Sequence, residues 1–297
     1  MQKITIDSLD MINSLPNSIV KNFFGHWTEE TNLLQLKKTF QHGKLFEHVT
    51  IPNFLNKEVA ELLFLHFPTD IENMHRYNNP IEVKYARDEI STMHPILKNY
   101  FYFMSSNYII HLFSQISDIQ LECDPFLHGA GLHIHPRNGR LGVHLDYEIH
   151  PYLQKQRRLN VIVYLNKNWN PEWNGQSELW NMETETCEVR SSINFNSAFV
   201  FKTNDQSWHG LSTKITCPDN IFRQTLAYYF LSDITDQPRN EIEGQDGSGY
   251  RKKAVFRVMK KDPNFDKLQP LLKIRPHRRI EDSDMKEHWP EWNEVDF

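Results

Sequence analysis

The spacing of apolar residues changes along the chain, and each change predicts a different element. In KLFEHVTIPNFLNKEVAELLFLHFP, Phe46, Val49 and Ile51 suggest a strand and Asn56 a helix cap. Val59, Leu62, Leu63 and His66 then mark one face of a helix that Pro68 stops. In HPILKNYFYFMSSNYIIHLFSQISDI, Pro95 suits a first helical turn. Leu97, Phe101, Met104, Tyr108 and Leu112 recur every three or four residues, which predicts a second, longer helix whose aromatic residues pack. The first forty or so residues predict irregular structure with short helices.

From about residue 120 to 233 the spacing shifts to strands and turns. LHIHPRNGRLGVHLDY predicts two strands about an Asn-Gly turn, and RRLNVIVYLN a strand rich in β-branched residues. EWNGQSELWN reads as a turn into a strand, and NSAFVFKT and FRQTLAYYFLSD as two more. Short strands following helices predict an α+β protein, mainly β in its core, as a β-sandwich or jelly roll. From about residue 236 the pattern breaks into basic stretches, YRKKAVFRVMKK and KIRPHRRI, followed by the acidic EDSDMKEHWPEWNEVDF. A solvated charged extension is expected there, with a lid or partner site as the alternative. The chain thus divides into an N-terminal extension (1–45), a β domain with its supporting helices (46–235) and a C-terminal extension (236–297).

Composition narrows the class. With 39% hydrophobic and 24% charged residues in 297, the chain can bury a core. A net charge of -5 argues against a dedicated nucleic-acid binder. Cys123, Cys187 and Cys217 are odd in number and far apart, which fits a reducing compartment and no zinc-finger pattern. The N-terminus shows no signal-peptide pattern, and no apolar run approaches the ~20 residues of a membrane span. A soluble cytoplasmic protein with no membrane partner is expected.

Fifteen histidines direct attention to metal chemistry. His144 and Asp146 stand two apart at a strand, so they face the same way and offer two corners of a facial site for a metal such as Fe(II). His209, beyond NSAFVFKT, is a candidate third ligand. Arg223 opens an apolar strand with no acidic neighbour in sequence, so a bound carboxylate would offset its desolvation. His133 and His135 share a strand face, as in a cupin metal site, but no glutamate follows before Glu148. Trp180 and Trp208 read as core packing.

The order H-x-D, then His209, then Arg223 resembles the Fe(II)/2-oxoglutarate-dependent dioxygenases, specifically their prolyl-4-hydroxylase-like branch. RRLNVIVYLNKNWNPEWNGQSELW is similar to the segment that joins the ligands there, and IPNFLNKEVAELL to the helix that often opens these domains. The resemblance implies a double-stranded β-helix with His144, Asp146 and His209 on iron. It implies Arg223 on the distal carboxylate of 2-oxoglutarate, with Thr225 and Tyr164 as further candidates for that cosubstrate. Fe(II) would be the cofactor, 2-oxoglutarate and O2 the cosubstrates, and ascorbate a stimulant. The reaction implied is hydroxylation of an unactivated C–H bond, with a lean towards a prolyl or other amino-acid residue, releasing succinate and CO2. Gly175-Gln176 stands where the family often has two glycines, and INFNSAF lacks its usual Pro and Gly. A 2-oxoglutarate-independent cupin enzyme using His133 and His135, and a non-catalytic jelly-roll binding module, are the alternatives.

Overall fold

A computed structural model describes residues 2–239 and 247–293. Four helical elements lead: α1 (Ile6–Ser14), α2 (Asn17–Phe23), a 3-10 turn (His26–Thr28) and α3 (Glu30–Gln41). Then come β1 (His48–Ile51), α4 (Lys57–Leu65), β2 (His75–Asn78), β3 (Glu82–Arg87), α5 (Pro95–Met104) and α6 (Asn107–Ser117). The strands β4 (Gly131–His135), β5 (Arg140–Leu145), β6 (Gln156–Tyr164) and β7 (Glu178–Asn181) follow, with β8 (Thr186–Arg190), β9 (Ser197–Lys202), β10 (His209–Leu211) and β11 (Arg223–Ser232). The tail contributes β12 (Val255–Phe256), α7 (Phe265–Ile274) and α8 (Asp282–His288). Residue 1, residues 240–246 and the last four residues of the acidic stretch, 294–297, lie outside the described residues.

All strand pairs are antiparallel, in the order β1-β9-β6-β11-β4-β3-β5-β10-β7-β8, with β2 beside β3 and β12 beside β5. The sheet curls on itself as a jelly roll. Alternation decides what each face does. Leu132 and Ile134 of β4, Leu159, Val161 and Val163 of β6, and Leu226, Tyr228 and Phe230 of β11 join the core under the helices. Their neighbours His133, His135, Asn160, Ile162, Arg223 and Thr225 line the concave side. Helices α1 to α6 and their connections supply the other half of that core, with Phe23, Leu63, Phe101 and Phe113 from helices, Trp27 from the 3-10 turn and Phe54 from the loop before α4.

Two expectations are corrected. The second helix is two helices: Ser106 caps α6, its Oγ accepting from Ile109 N, while Ser105 Oγ donates to Phe101 O at the end of α5. Serine hydroxyls satisfy the backbone at such ends and so break an otherwise continuous apolar stripe. The strands flanking Asn138-Gly139 exist and the turn forms, but they are not paired with each other; β3 pairs with β4 through Tyr85–Ile134 and with β5 through Glu82–Leu141. Asn56 does cap α4, accepting from Glu58 N, although Leu62 of the expected buried face is exposed. Strands β2, β3, β8, β10 and β12 carried no clear sequence signal.

Candidate metal centre

Strand register builds the centre. β10 lies against β5 with His209 opposite His144, and the two imidazole centroids are 4.3 Å apart. Gly210 permits this approach, because a Cβ there would meet Leu141 O at 3.0 Å and Gly142 O at 3.1 Å. Asp146 follows the end of β5, with His144 Nε2 3.6 Å from Oδ1 and His209 Nε2 3.3 Å from Oδ2. Donor atoms of His144, Asp146 and His209 all lie within 4.8 Å of one another, the only such group among the described residues.

The surrounding groups orient these donors. His144 Nδ1 donates to Gly142 O and His209 Nδ1 to Ser207 O, each at 2.8 Å. A carbonyl can only accept, so each ring keeps its Nε2 lone pair free towards the other donors. Burial and His209 hold the His144 imidazole below its ordinary pKa, against the opposing pull of Asp146. Burial alone would raise Asp146, but the Arg157 guanidinium, with His209 adding to it, holds its carboxyl well below the carboxylate range. Two imidazole Nε2 atoms and one carboxylate, converging on one point, fit a borderline-hard divalent ion such as Fe(II).

Arg157 and Asn160 complete the setting and were not singled out in the sequence. Arg157 lies 3.0 Å from Asp146 Oδ2, Asn160 Nδ2 donates to the same oxygen at 2.9 Å, and Arg157 Nε donates to Asn160 Oδ1 at 2.8 Å. The Arg157 guanidinium stacks 3.3 Å from the Tyr229 ring centroid. Asn160 had a signal, as the one polar residue inside LNVIVYL. Arg157 had none, because strand parity puts it with Leu159 on the helix side. A register shift skips Arg158 and turns Arg157 inward.

A cavity of about 670 Å³ opens over these residues. Arg223 reaches its wall from β11 and is 3% exposed. Its Nε donates to Gly175 O at 2.6 Å, one terminal nitrogen lies 3.3 Å from Ser177 Oγ and the other 3.4 Å from His135 Nδ1. Gly175 has φ +89°, and a Cβ would sit 3.2 Å from Arg223 Cδ, so glycine is needed on both counts. No carboxylate pairs with Arg223 among the described residues, and desolvation pushes its pKa down. Thr225 lines the cavity two residues on. Tyr164 stands behind: its hydroxyl is bonded to Ser177 Oγ (2.6 Å) and Ser191 Oγ (2.7 Å), and Arg223 lies over its ring. His133 and His135 line the cavity as well, with no third imidazole, thiol or carboxylate grouped with them among the described residues. His135 Nε2 is buried without a hydrogen-bond partner. Trp208 is buried beside Val143, Leu145 and Met259, with Trp180 against them, as packing residues.

The tail closes one side. Phe256 of β12 pairs with His144 and stacks on its ring, with centroids 4.9 Å apart and planes at 19°. Phe256 also joins Leu268, Leu271, Met285 and Trp289 in a small core of its own. Among the described residues no helix is long and apolar enough to cross a membrane.

Residues 130–231 match the sequence profile of the 2OG-Fe(II) oxygenase superfamily. No curated protein matches the chain significantly. Among solved structures, the chain is similar to a prolyl hydroxylase from Trichoplax adhaerens in complex with a hypoxia-inducible-factor peptide fragment, at 14% identity and TM-score 0.50, over 71% of this chain and 95% of that one. It is also similar to a Pseudomonas putida prolyl-4-hydroxylase, at 16% identity and TM-score 0.45, over 67% and 100%. A third is HygX from Streptomyces hygroscopicus with nickel, 2-oxoglutarate and hygromycin B bound, at 12% identity and TM-score 0.43, over 74% and 96%. The fold is the double-stranded β-helix of 2OG-Fe(II) oxygenases.

Proposed function

We propose that the protein is an Fe(II)- and 2-oxoglutarate-dependent dioxygenase that hydroxylates an unactivated C–H bond. His144, Asp146 and His209 hold the iron, and Arg223 holds the distal carboxylate of 2-oxoglutarate. The observation that carries this reading is a buried guanidinium without a carboxylate, on the wall of the same cavity as two imidazoles and a carboxylate whose free donor atoms converge. A buried charge left unpaired is costly, and a dicarboxylate restores the balance. Thr225 and the unpartnered His135 Nε2 are further donors beside that carboxylate. Tyr164 supports the cosubstrate indirectly, by fixing Ser177 against Arg223.

Iron, when bound, couples oxidative decarboxylation of 2-oxoglutarate, giving succinate and CO2, to transfer of the second oxygen atom of O2 into the substrate C–H bond. The chain's own residues do the rest. The Gly142 and Ser207 carbonyls fix the imidazole tautomers, and Arg157 and Asn160 keep Asp146 ionised and aimed. Phe256 covers His144 and keeps water from that side.

The test is succinate release from 2-oxoglutarate by protein loaded with Fe(II) in the presence of ascorbate and O2. Turnover is expected, and Arg223→Gln is expected to raise KM for 2-oxoglutarate by about tenfold or more. Iron-loaded protein that neither binds nor consumes 2-oxoglutarate would refute the proposal.

A further inference from the structure

The cavity wall carries three carboxylates besides its cations, and each already has a partner. Glu82 pairs with Arg275, Asp88 with Lys3 and Asp146 with Arg157. Arg223 and Lys84, both set into that wall, have no anion partner among the described residues. Lys84 sits on β3, half-buried, on the same strand face as Glu82 and Ala86, all three lining the cavity. Its ammonium has no hydrogen-bond or ion-pair partner among the described residues, and lies 4.9 Å from the centroid of the Tyr77 ring. Arg279, from the tail, lies 5.1 Å from the same ring on the cavity rim, its guanidinium 2.8 Å from His75 Nε2. Lys253 stands nearby, bonded to His277 O. Tyr77 thus holds two cations at once, and the aromatic face only partly offsets their desolvation.

We infer that Lys84 and Arg279 form a second anion subsite, which takes a carboxylate or phosphate group of a small substrate and presents the rest of it to the metal. This rests on the dioxygenase reading, in which Arg223 is already committed to 2-oxoglutarate. The physical argument is the one made for Arg223: a chain of net charge -5 leaves a half-buried ammonium unpaired inside its own reaction cavity. A volume of about 670 Å³ shared with 2-oxoglutarate suits a small molecule. A free amino acid or other carboxylate, or a phosphate monoester, meets these terms, whereas an uncharged prolyl residue within a peptide does not. Lys84 and Arg279 both lie outside residues 130–231, so the part of the chain that matches the superfamily supplies the reaction and the flanking parts select the substrate.

The probe is inorganic phosphate, titrated calorimetrically into protein loaded with Mn(II) and 2-oxoglutarate without O2. Binding is expected, weakened about tenfold or more by Lys84→Met and also by Arg279→Met at the exposed rim, while 2-oxoglutarate affinity in the same variants moves by less than about threefold. Lys84→Arg is expected to retain binding. In parallel, succinate release is measured with paired small molecules: carboxylates against their amides, and phosphate esters against their alcohols. The anionic member of a pair should stimulate, and which pair responds identifies the anion. Phosphate that competes with 2-oxoglutarate, that fails to bind, or that binds Lys84→Met as tightly as the parent overturns the subsite, as does equal stimulation by neutral members. If the protein fails to bind 2-oxoglutarate yet binds phosphate through Lys84, the dioxygenase reading falls and the anion site stands.

Discussion

Residues at the centre act through what holds them. Asp146 ends free of its strand, so Arg157 and Asn160 must fix it. Asn160→Ala should lower Mn(II) or Fe(II) affinity by about 10- to 100-fold, while His144→Ala abolishes tight binding; both are read by metal titration in the absence of O2. An unchanged affinity in Asn160→Ala would show that Arg157 alone suffices. His128, on the cavity rim, gives a pH prediction. Burial, with His150 adding to it, pushes its pKa from 6.5 down to about 4. A depressed imidazole stabilises the fold fully above the unfolded value and progressively less as pH falls towards the folded one. Stability should therefore drop by on the order of 2 kcal/mol between pH 6.5 and 5, before most carboxylates titrate. Urea unfolding at stepped pH measures it, and His128→Asn should flatten that limb.

At the scale of elements, a buried ion pair helps fasten the tail to the barrel, beside the β12–β5 pairing and the contacts of Arg251 with Glu148 and Asp205. Arg275 of α7's C-terminal end donates to Glu82 of β3, which is 2% exposed; burial raises this carboxyl, but Arg275 and Lys84 outweigh it and hold it low. Arg275→Met leaves that carboxylate unpaired and should cost about 3–5 kcal/mol in chemical unfolding, whereas Glu82→Leu with Arg275→Met should recover most of it. A single-variant loss that the double variant does not repair would place the effect elsewhere. The break between α5 and α6 is likewise local: Ser106→Ala removes the cap that accepts from Ile109 N and should cost about 1 kcal/mol. Most elements were legible where period and punctuation agreed, as in β6, β9 and β11. The short strands were not: β10 has three residues and β12 two, too few for a period to register.

Across the whole molecule, the helical layer is the support against which the reaction face is built. Phe54 is fully buried and stacks on Trp27, with ring centroids 5.3 Å apart and planes at 8°. The outward positions of β4, β6 and β11 belong to that same core, so loosening it loosens the strands that carry His133, Asn160 and Arg223. Phe54→Ala should cost about 3–5 kcal/mol, seen as a lowered denaturation midpoint. At temperatures where the variant stays folded, metal affinity should change far less than in Asn160→Ala.

For the longer strands, away from the bulge at Arg158, the sequence by itself determined the face turned inward, because a period of two leaves no choice once one face is apolar. It therefore placed His144 with Asp146 and Arg223 with Thr225, and it marked the Asn56 cap. Which strands meet was decided only in three dimensions. Pairing depends on closure of the whole sheet, so β3 enters between the two strands that flank Asn138-Gly139, and His209 comes opposite His144 across 65 residues of chain. The skipped residue at Arg158, and the tail strand that brings Phe256 onto His144, have the same origin: long-range hydrogen bonding that no local pattern encodes.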